Sequence, residues 1–240
     1  MIEVNNLSKN FGAKSVVQNL SFTVQQGEVL GFLGPNGAGK STTMRMVTGF
    51  ISPTSGDAKI CGTSVIDHPK KAKSHIGYLP ESAPLYDDMT VRDFLKFCAS
   101  MRGIKGRASK DAVSSAIETC FLEGVAHQSI HTLSKGYRHR TCLAQSLIHD
   151  PDVLILDEPT DGLDPNQKHE VRQLISRLGK SKAILFSTHI LEEVDAACTR
   201  ALIIDQGTIV ADGTPQELRA QSGTDSLHDL FRTLTTKETD

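Results

Sequence analysis

The sequence predicts an α/β fold with a mainly parallel core sheet, an N-terminal antiparallel β subdomain and an inserted helical subdomain. Three observations support this prediction. Apolar and polar residues alternate in short stretches through the first thirty residues, which is typical of antiparallel strands. Compact apolar runs then alternate with helical segments, which favours parallel strands. From residue 90 to about 149, helical periodicity interrupts that alternation.

The composition limits the classes of function. The chain has 240 residues, enough for one α/β domain with an insertion or for two small domains. Its 26 basic and 28 acidic residues give a formal charge of −2, so we expect no direct nucleic-acid partner beyond what a local basic patch would allow. Five scattered cysteines without a C-x-x-C pair favour reduced thiols in a cytosolic protein. No apolar run approaches the roughly 18 residues of a membrane span, so membrane association would require a partner.

The first core elements follow from the apolar runs in chain order. Residues 29–33 predict a strand, the glycine-rich segment after them a loop, and the stretch through Met44 to Gly49 a helix. Residues 53–56 predict a turn before a short strand at 58–61. In the helical block, Thr90 can cap a helix that Gly103 and Gly106 end, and a second helix is expected at 109–122.

Three further strands are predicted at residues 153–157, 183–187 and 201–205. Asp164 can cap the helix between the first two, Pro165 can start it and Gly179 can end it. We therefore interpret 1–240 as a single domain. Within this domain, residues 1–82 and 150–215 form the α/β core, 83–149 the helical subdomain and 216–240 a C-terminal tail with two weak helices.

A glycine-rich loop predicts a nucleoside triphosphate site. The segment from Gly34 to Ser41 fits G-x-x-x-x-G-K-[ST] and lies between a strand and a helix, as in P-loop NTPases. Its glycines let backbone N–H groups face phosphates, Lys40 can bridge the β and γ groups, and Ser41 can ligate Mg²⁺. The predicted binding residues are Gly34, Pro35, Asn36, Gly37, Ala38, Gly39, Lys40, Ser41 and Thr42.

Side chains that could act on the phosphates follow two of the predicted strands. Asp157 and Glu158 end a continuous apolar strand, at the edge where α/β sheets place ligands. Asp157 can hold Mg²⁺ through water, and Glu158 can act as a general base or orient the attacking water. His189 follows the next strand, which puts it at the same edge near the γ-phosphate.

The segment Leu133-Ser134-Lys135-Gly136-Tyr137 lies at a predicted helix start about twenty residues before the Asp157 strand. With the glycine loop, Asp157-Glu158 and His189 in this order, nearly the whole chain strongly resembles the nucleotide-binding subunit of an ABC transporter. The resemblance implies an ATPase with ATP and Mg²⁺ as cofactors, which dimerises around two ATP molecules and drives a separate integral membrane permease.

The resemblance also implies roles for individual residues. Ser134 and the backbone of Gly136 would contact the γ-phosphate of ATP held by the opposite subunit. Phe11 would stack on adenine, although an aromatic residue in a β-hairpin is commonly part of the core. Glu158 resembles the catalytic glutamate and His189 the switch histidine. Residues 161–164, which end at the nucleotide-site residue Asp164, resemble the loop that crosses the dimer.

Several positions depart from the family pattern. Lys135 and Tyr137 replace a glycine and a glutamine of the signature; Lys135 would either add positive charge near the phosphate of the partner or be a solvated side chain. Glu81 stands where a glutamine is usual and keeps an oxygen for Mg²⁺ or water. Asp161 makes the crossing loop more acidic. Residues 82–89, with Pro84, Leu85, Tyr86 and Met89, would face the permease or form a packed loop.

These variants look most like ATPase subunits of the ABC-2 exporter group, including gliding-motility-like members. We expect a homodimer, or a heterodimer with a similar subunit, that is cytoplasmic and bound through the permease to the inner face of the cell membrane. Two alternatives use the same loop. One is a soluble ABC ATPase acting on ribosomes or DNA, and the other is a small-molecule phosphotransferase, which would leave the Leu133 segment without a role.

Glu81→Gln is expected to retain ATPase activity, because an amide oxygen replaces a carboxylate oxygen and removes negative charge beside the phosphates. Phosphate release by the two chains tests this. Loss of turnover to the level of a Glu158→Gln chain would contradict it.

Overall fold

The computed structural model describes residues 1–82 and 84–235. Ala83, which belongs to the predicted permease-facing segment, and residues 236–240 of the predicted tail lie outside the described residues. Within the described ranges, no helix is long and apolar enough to cross a membrane.

An antiparallel sheet forms at the N-terminal end, as predicted. Its strands are β1 (Ile2–Phe11), β2 (Lys14–Val24), β4 (Ser55–Ile60) and β5 (Thr63–Ser64), in the order β2-β1-β4-β5. Ile2, Val4 and Leu7 of β1 are buried, so this sheet turns one apolar face inward. The β1–β2 hairpin extends to Phe11, which pairs with Lys14.

The core is a second sheet of six strands. These are β3 (Val29–Leu33), β6 (Ile76–Leu79), β7 (Val153–Asp157), β8 (Ala183–Thr188), β9 (Arg200–Asp205) and β10 (Thr208–Gly213), in the order β10-β9-β3-β8-β7-β6. All neighbours pair in parallel except β9 and β10, which are antiparallel. Strands β3, β7 and β8 are buried along their whole length, as expected of a parallel sheet covered on both faces. The predicted fold class is therefore confirmed.

Nine helices surround the two sheets in the described part of the chain. Their bounds are α1 (Lys40–Val47), α2 (Pro69–Ser74), α3 (Val91–Met101), α4 (Gly106–Thr119), α5 (Lys135–Leu147), α6 (Pro165–Gly179), α7 (Leu191–Ala197), α8 (Pro215–Gln221) and α9 (Leu227–Thr235). Thr90 caps α3 and Asp164 caps α6, as predicted. The expectation that Gly106 ends a helix is wrong: Gly106 is the first residue of α4.

Successive residues of the core strands pack into different hydrophobic clusters on the two faces of the core sheet. Leu154 and Leu156 of β7 belong to a hydrophobic cluster that includes Phe94 and Leu95 of α3. The intervening Ile155 points into a second cluster, which contains Met44 of α1 and the inner face of the antiparallel sheet. The core sheet is thus packed between the inserted helices on one face and α1 with the antiparallel sheet on the other. The carboxyl ends of its parallel strands remain free to form a site.

Candidate active site

The glycine-rich loop joins β3 to α1. Gly37 and Gly39 have φ of 85° and 104°, a left-handed conformation that glycine adopts without strain. A Cβ at Gly39 would lie 2.8 Å from the Val16 carbonyl oxygen, so the loop also depends on glycine for its close approach to β2. Gly39 caps α1, and the loop therefore delivers the N-terminus of that helix to the sheet edge.

Lys40 folds back onto this loop. Its side chain is only 6% exposed, and Nζ donates hydrogen bonds to the carbonyl oxygens of Gly34, at 2.7 Å, and Pro35, at 3.3 Å. Burial lowers the pKa of Lys40, while the negative charges of Glu158, Asp157 and Glu81 oppose that shift. The ammonium group thus donates its hydrogen bonds to neutral carbonyl oxygens, and it can exchange them for a charged acceptor such as a phosphate.

A cleft of about 540 Å³ opens in front of the loop, a size typical of sites for nucleotide-sized ligands. Its lining residues come from the loop, the β1–β2 hairpin and the strand ends: Lys14, Ser15, Val16, Gln18, Asn36, Gly37, Gly39, Lys40, Ser41, Thr42, Glu81, Glu158 and Gln206. Glu81 and Glu158, which lie far apart in sequence, face the same cleft. The hairpin and Gln206 supply walls that the sequence motifs do not include.

Asp157 connects the loop helix to two strands. Its Oδ1 atom accepts hydrogen bonds from Ser41 Oγ at 3.1 Å and from Ser187 Oγ at 2.6 Å. The side chain is almost completely buried, and Oδ2 has no hydrogen-bond partner in the described ranges. A buried carboxylate oxygen without a partner is costly unless a cation or water contacts it. Together with Ser41 Oγ, it fits Mg²⁺, which prefers oxygen ligands.

Glu158 lies between a cation and a histidine. Its Oε1 atom is 3.8 Å from Lys40 Nζ, and Oε2 is 3.0 Å from His189 Nδ1. Burial raises the pKa of Glu158, and His189 and Lys40 oppose that effect. The Glu158 backbone has φ of 51°, the left-handed region, and its N–H donates to Ser187 Oγ at 2.9 Å. The carboxylate is therefore aimed by its own backbone as well as by His189.

Sequence reasoning missed the groups that position these residues. Ser187 is paired directly with Asp157 in the β7–β8 register, so its place at the end of a predicted parallel strand was the available signal. Glu193, on α7, is 1% exposed and accepts hydrogen bonds from Thr160 and, at 2.7 Å, from Thr188. Glu193 thus connects the segment that follows β7 with the end of β8, and no sequence signal distinguished it from the exposed Glu192 beside it.

Phe11 is not part of the core, so that alternative is wrong. Its side chain is 53% exposed near the end of the β1–β2 hairpin, and Lys9 Nζ lies 5.1 Å from the ring centroid. Lys14 and Val16, on the returning strand of the same hairpin, line the cleft. Stacking of Phe11 on adenine remains a prediction.

The segment around Ser134 forms a separate surface. Ser134 caps α5 and accepts a hydrogen bond from the Tyr137 N–H, and neither Ser134 nor Gly136 lines the cleft in the described part of the chain. A Cβ at Gly136 would collide with the Gln167 side chain, which forms the capping box of α6 with Asp164. The chain therefore carries its signature-like segment outside its own cleft.

Lys135 lies exposed at the start of α5, as the alternative of a solvated side chain predicts, and it also forms an ion pair. Its Nζ atom forms an ion pair of 2.9 Å with Asp161, in the loop that follows Glu158. That pair lowers the pKa of Asp161 through its hydrogen bond with Lys135. The two departures from the family pattern, one at the start of α5 and one in the crossing loop, thus contact each other.

Comparison with known proteins places these features in a family. Residues 17–161 match the family model described as ABC transporter. The chain is 38% identical to a probable multidrug ABC transporter ATP-binding protein, YbhF of Escherichia coli K12, over 95% of this chain and 40% of YbhF. It is 41% identical to the Nod factor export ATP-binding protein I of Burkholderia lata, over 90% of this chain and 72% of the relative.

Solved structures are similar over most of the chain. An ATP-binding subunit of an ABC transporter matches with a TM-score of 0.89 and 30% identity, covering 98% of this chain and all of the other. The cbiO1 protein of Clostridium perfringens, part of the cbiONQ complex, matches with a TM-score of 0.81 and 27% identity, covering 92% and 90% of the two chains.

Glu193→Ala should lower the free energy of unfolding by about 2–4 kcal/mol, because two buried threonine hydroxyls lose their acceptor and a cavity forms. Urea unfolding measures the change. Glu192→Ala, one residue away and exposed, is the matched control and should change it by less than about 0.5 kcal/mol. Equal effects of the two substitutions would contradict the role of Glu193.

Glu158→Gln should raise the free energy of unfolding of the ligand-free chain near neutral pH. Because the pKa of Glu158 is raised on folding, the folded state binds its proton more tightly, and stability falls as pH rises from the ordinary glutamate pKa through the raised one. Glutamine removes this loss, so the difference should vanish below the ordinary glutamate pKa. Urea unfolding over a pH series checks it, with Glu192→Gln as control; a variant no more stable than the parent at neutral pH would refute it.

Proposed function

The chain belongs to the ABC transporter family, and we propose that it is the ATP-binding and ATP-hydrolysing subunit of an exporter that acts on a separate membrane permease. One observation carries the proposal: the glycine-rich loop and the Ser134 segment lie apart, so each can serve as half of an ATP site. The cleft holds Lys40, Ser41 and Glu158, whereas Ser134 and Gly136 lie outside its lining. Two chains in which the Ser134 segment of each lies against the cleft of the other would complete two ATP sites.

The first half-site binds and positions the nucleotide. The backbone N–H groups at the start of α1 meet the phosphates, and Lys40 leaves the Gly34 carbonyl for them. Ser41 and Asp157 would hold Mg²⁺, which neutralises phosphate charge when bound. Gly34 to Thr42 form the binding loop, and Phe11 lies on the hairpin beside it, where it can stack on adenine.

Hydrolysis requires a group that orients or deprotonates water. Glu158 has this role in our proposal, because its raised pKa favours proton acceptance and its Oε1 atom faces the cleft beside Lys40. His189 holds the other carboxylate oxygen at 3.0 Å, so it fixes the direction of Glu158. Glu81 lies across the cleft, where it can contribute an oxygen to Mg²⁺ or to its water.

The second half-site is supplied by a partner chain, identical or similar. Ser134 is exposed and presents a hydroxyl at a helix N-terminus, which suits a phosphate of the partner. Gly136 is buried against the Gln167 side chain, so in our proposal its backbone meets that phosphate only after Gln167 moves. Asp164 caps α6 beside this segment, at the end of the crossing loop. ATP would thus join two chains, and its hydrolysis would let them separate.

The direction of transport is proposed from the relatives. One is named as a multidrug transporter protein and another as a Nod factor export protein, which favours export. The same names give no support to action on ribosomes or DNA. Membership of the family favours hydrolysis over phosphotransfer, because the Ser134 segment has a role only in the former.

An apolar groove supports contact with a permease. It is lined by Arg45, Phe50, Tyr78, Pro80, Ser82, Pro84, Arg102 and Gln145, between the core sheet and the inserted helices. Phe50 is 72% and Met101 73% exposed, and Tyr86 lies edge-on to Phe94 and Phe97.

We propose that an apolar segment of the permease occupies this groove and so holds the chain on the inner face of the cell membrane. Copurification with a hydrophobic subunit, lost on Phe50→Ser, would support it.

ATP-dependent dimerisation is the central prediction. A Glu158→Gln chain should bind ATP, hydrolyse it about 10²–10⁴-fold more slowly and form dimers. The dimer persists because the bound ATP that joins the two chains is not hydrolysed. Light scattering with and without ATP and Mg²⁺ measures the mass. A monomer under both conditions would contradict the proposal.

Adding Ser134→Arg to the Glu158→Gln chain separates the two half-sites. Because Ser134 lies outside the cleft lining, ATP binding by the monomer should be unchanged while dimerisation is lost. Ser114→Arg, on the exposed face of α4 in the same subdomain, is the matched control and should still dimerise. Loss of ATP binding in the Ser134→Arg monomer would contradict the proposal, because it would mean that Ser134 acts in the nucleotide site of its own chain.

A further inference from the structure

Three metal-ligating side chains from distant segments meet on the side of the fold away from the cleft. Cys61, His75 and Asp152 each offer one ligand atom, and the three atoms lie within 4.8 Å of one another. His75 Nδ1 is 2.6 Å from Asp152 Oδ2. All three residues are partly or fully exposed, so an ion from solvent can reach them.

The backbones of these residues are fixed by the two sheets. Cys61 donates its N–H to the Met1 carbonyl at 2.7 Å, and His75 accepts from the Val153 N–H at 3.0 Å, next to Asp152. His75 and Asp152 precede the parallel strands β6 and β7, whereas Asp157 ends β7. The cluster is therefore about one strand length, roughly 16 Å, from the active-site edge.

Local structure does not explain the cysteine. Cys61 and Gly62 form the two-residue connection between β4 and β5, and both have positive φ, of 49° and 73°. Such a hairpin turn favours asparagine, aspartate or glycine at its first position. A cysteine there has a backbone cost that the turn itself does not offset.

We propose that Cys61, His75 and Asp152 bind one Zn²⁺ ion. A thiolate, an imidazole and a carboxylate are a ligand set typical of Zn²⁺, whereas Mg²⁺ and Ca²⁺ prefer oxygen ligands alone. In tetrahedral Zn²⁺ sites, ligand atoms lie roughly 3.5 Å apart, so small side-chain rotations are sufficient here. Solvent would supply the fourth ligand at this exposed position.

Zn²⁺ binds cysteine as a thiolate, so binding at Cys61 would release the thiol proton to solvent.

Bound Zn²⁺ would connect the two sheets. Cys61 follows β4 of the antiparallel sheet, while His75 and Asp152 directly precede β6 and β7 of the core sheet. An ion shared between them binds only the folded chain, and it therefore stabilises the contact between the sheets by mass action. The alternative is an ordinary Asp152–His75 hydrogen bond with an uninvolved thiol beside it.

The test uses the full chain without a histidine tag. Zn²⁺ competition with a chromophoric chelator should give one equivalent per chain. Cys61→Ser, His75→Gln and Asp152→Asn should each weaken binding about tenfold or more. Zn²⁺ should raise the midpoint of thermal unfolding of the parent but not of these variants. Cys98→Ser and His68→Gln, outside the cluster, are matched controls and should behave as the parent.

Co²⁺ bound to the unmodified chain gives a second measurement that needs no variant to fold. A thiolate-to-cobalt charge-transfer band in the near ultraviolet is expected. Absence of that band, absence of a Zn²⁺ equivalent, or unchanged affinity in a folded Cys61→Ser chain would overturn the proposal. Cooperative unfolding in chelator establishes which variants are folded.

Discussion

The buried carboxylate of Asp157 is the constraint on which the rest of the site depends. One of its oxygens accepts hydrogen bonds from Ser41 of α1 and from Ser187 of β8, so three elements are joined at a single atom. A carboxylate this deeply buried is costly unless every oxygen has a partner. The fold supplies partners for one oxygen and leaves the other without a hydrogen bond in the described part of the chain. The ligand-free chain therefore already contains a carboxylate oxygen at the sheet edge that a bound cation would stabilise.

The predictable part of the molecule is the part governed by local rules. The glycine loop, the Asp164 cap and the apolar strands follow from nearby residues alone, and the structure contains each of them. Lys135 shows the opposite case, since its pairing with Asp161 joins residues 26 positions apart that are neighbours only after α5 and the crossing loop pack. Glu193 differs from Glu192 only in which side of a seven-residue helix it occupies. Such distinctions arise from packing, which a short periodic pattern does not encode.

The layered packing separates the glycine-rich loop from the Ser134 segment, the two surfaces that we propose as half-sites. The cluster that contains Phe94 and Leu95 packs the inserted helices against one face of the core sheet, and Ser134 and Gly136 do not line the cleft in the described ranges. The crossing loop follows Glu158 directly and is linked to α5 through Lys135. A change at Glu158 is therefore one short segment away from the surface offered to a second chain.

The left-handed backbone of Glu158 affects which variants of this chain would survive a selection for stability. A non-glycine residue in that region costs about 1–3 kcal/mol, and its half-buried charge adds a further cost. Glycine or asparagine would fit the same turn with less strain. Selection for heat resistance or expression alone would therefore enrich replacements at this position, and the most robust chains recovered would lack the carboxylate that we propose acts on the attacking water.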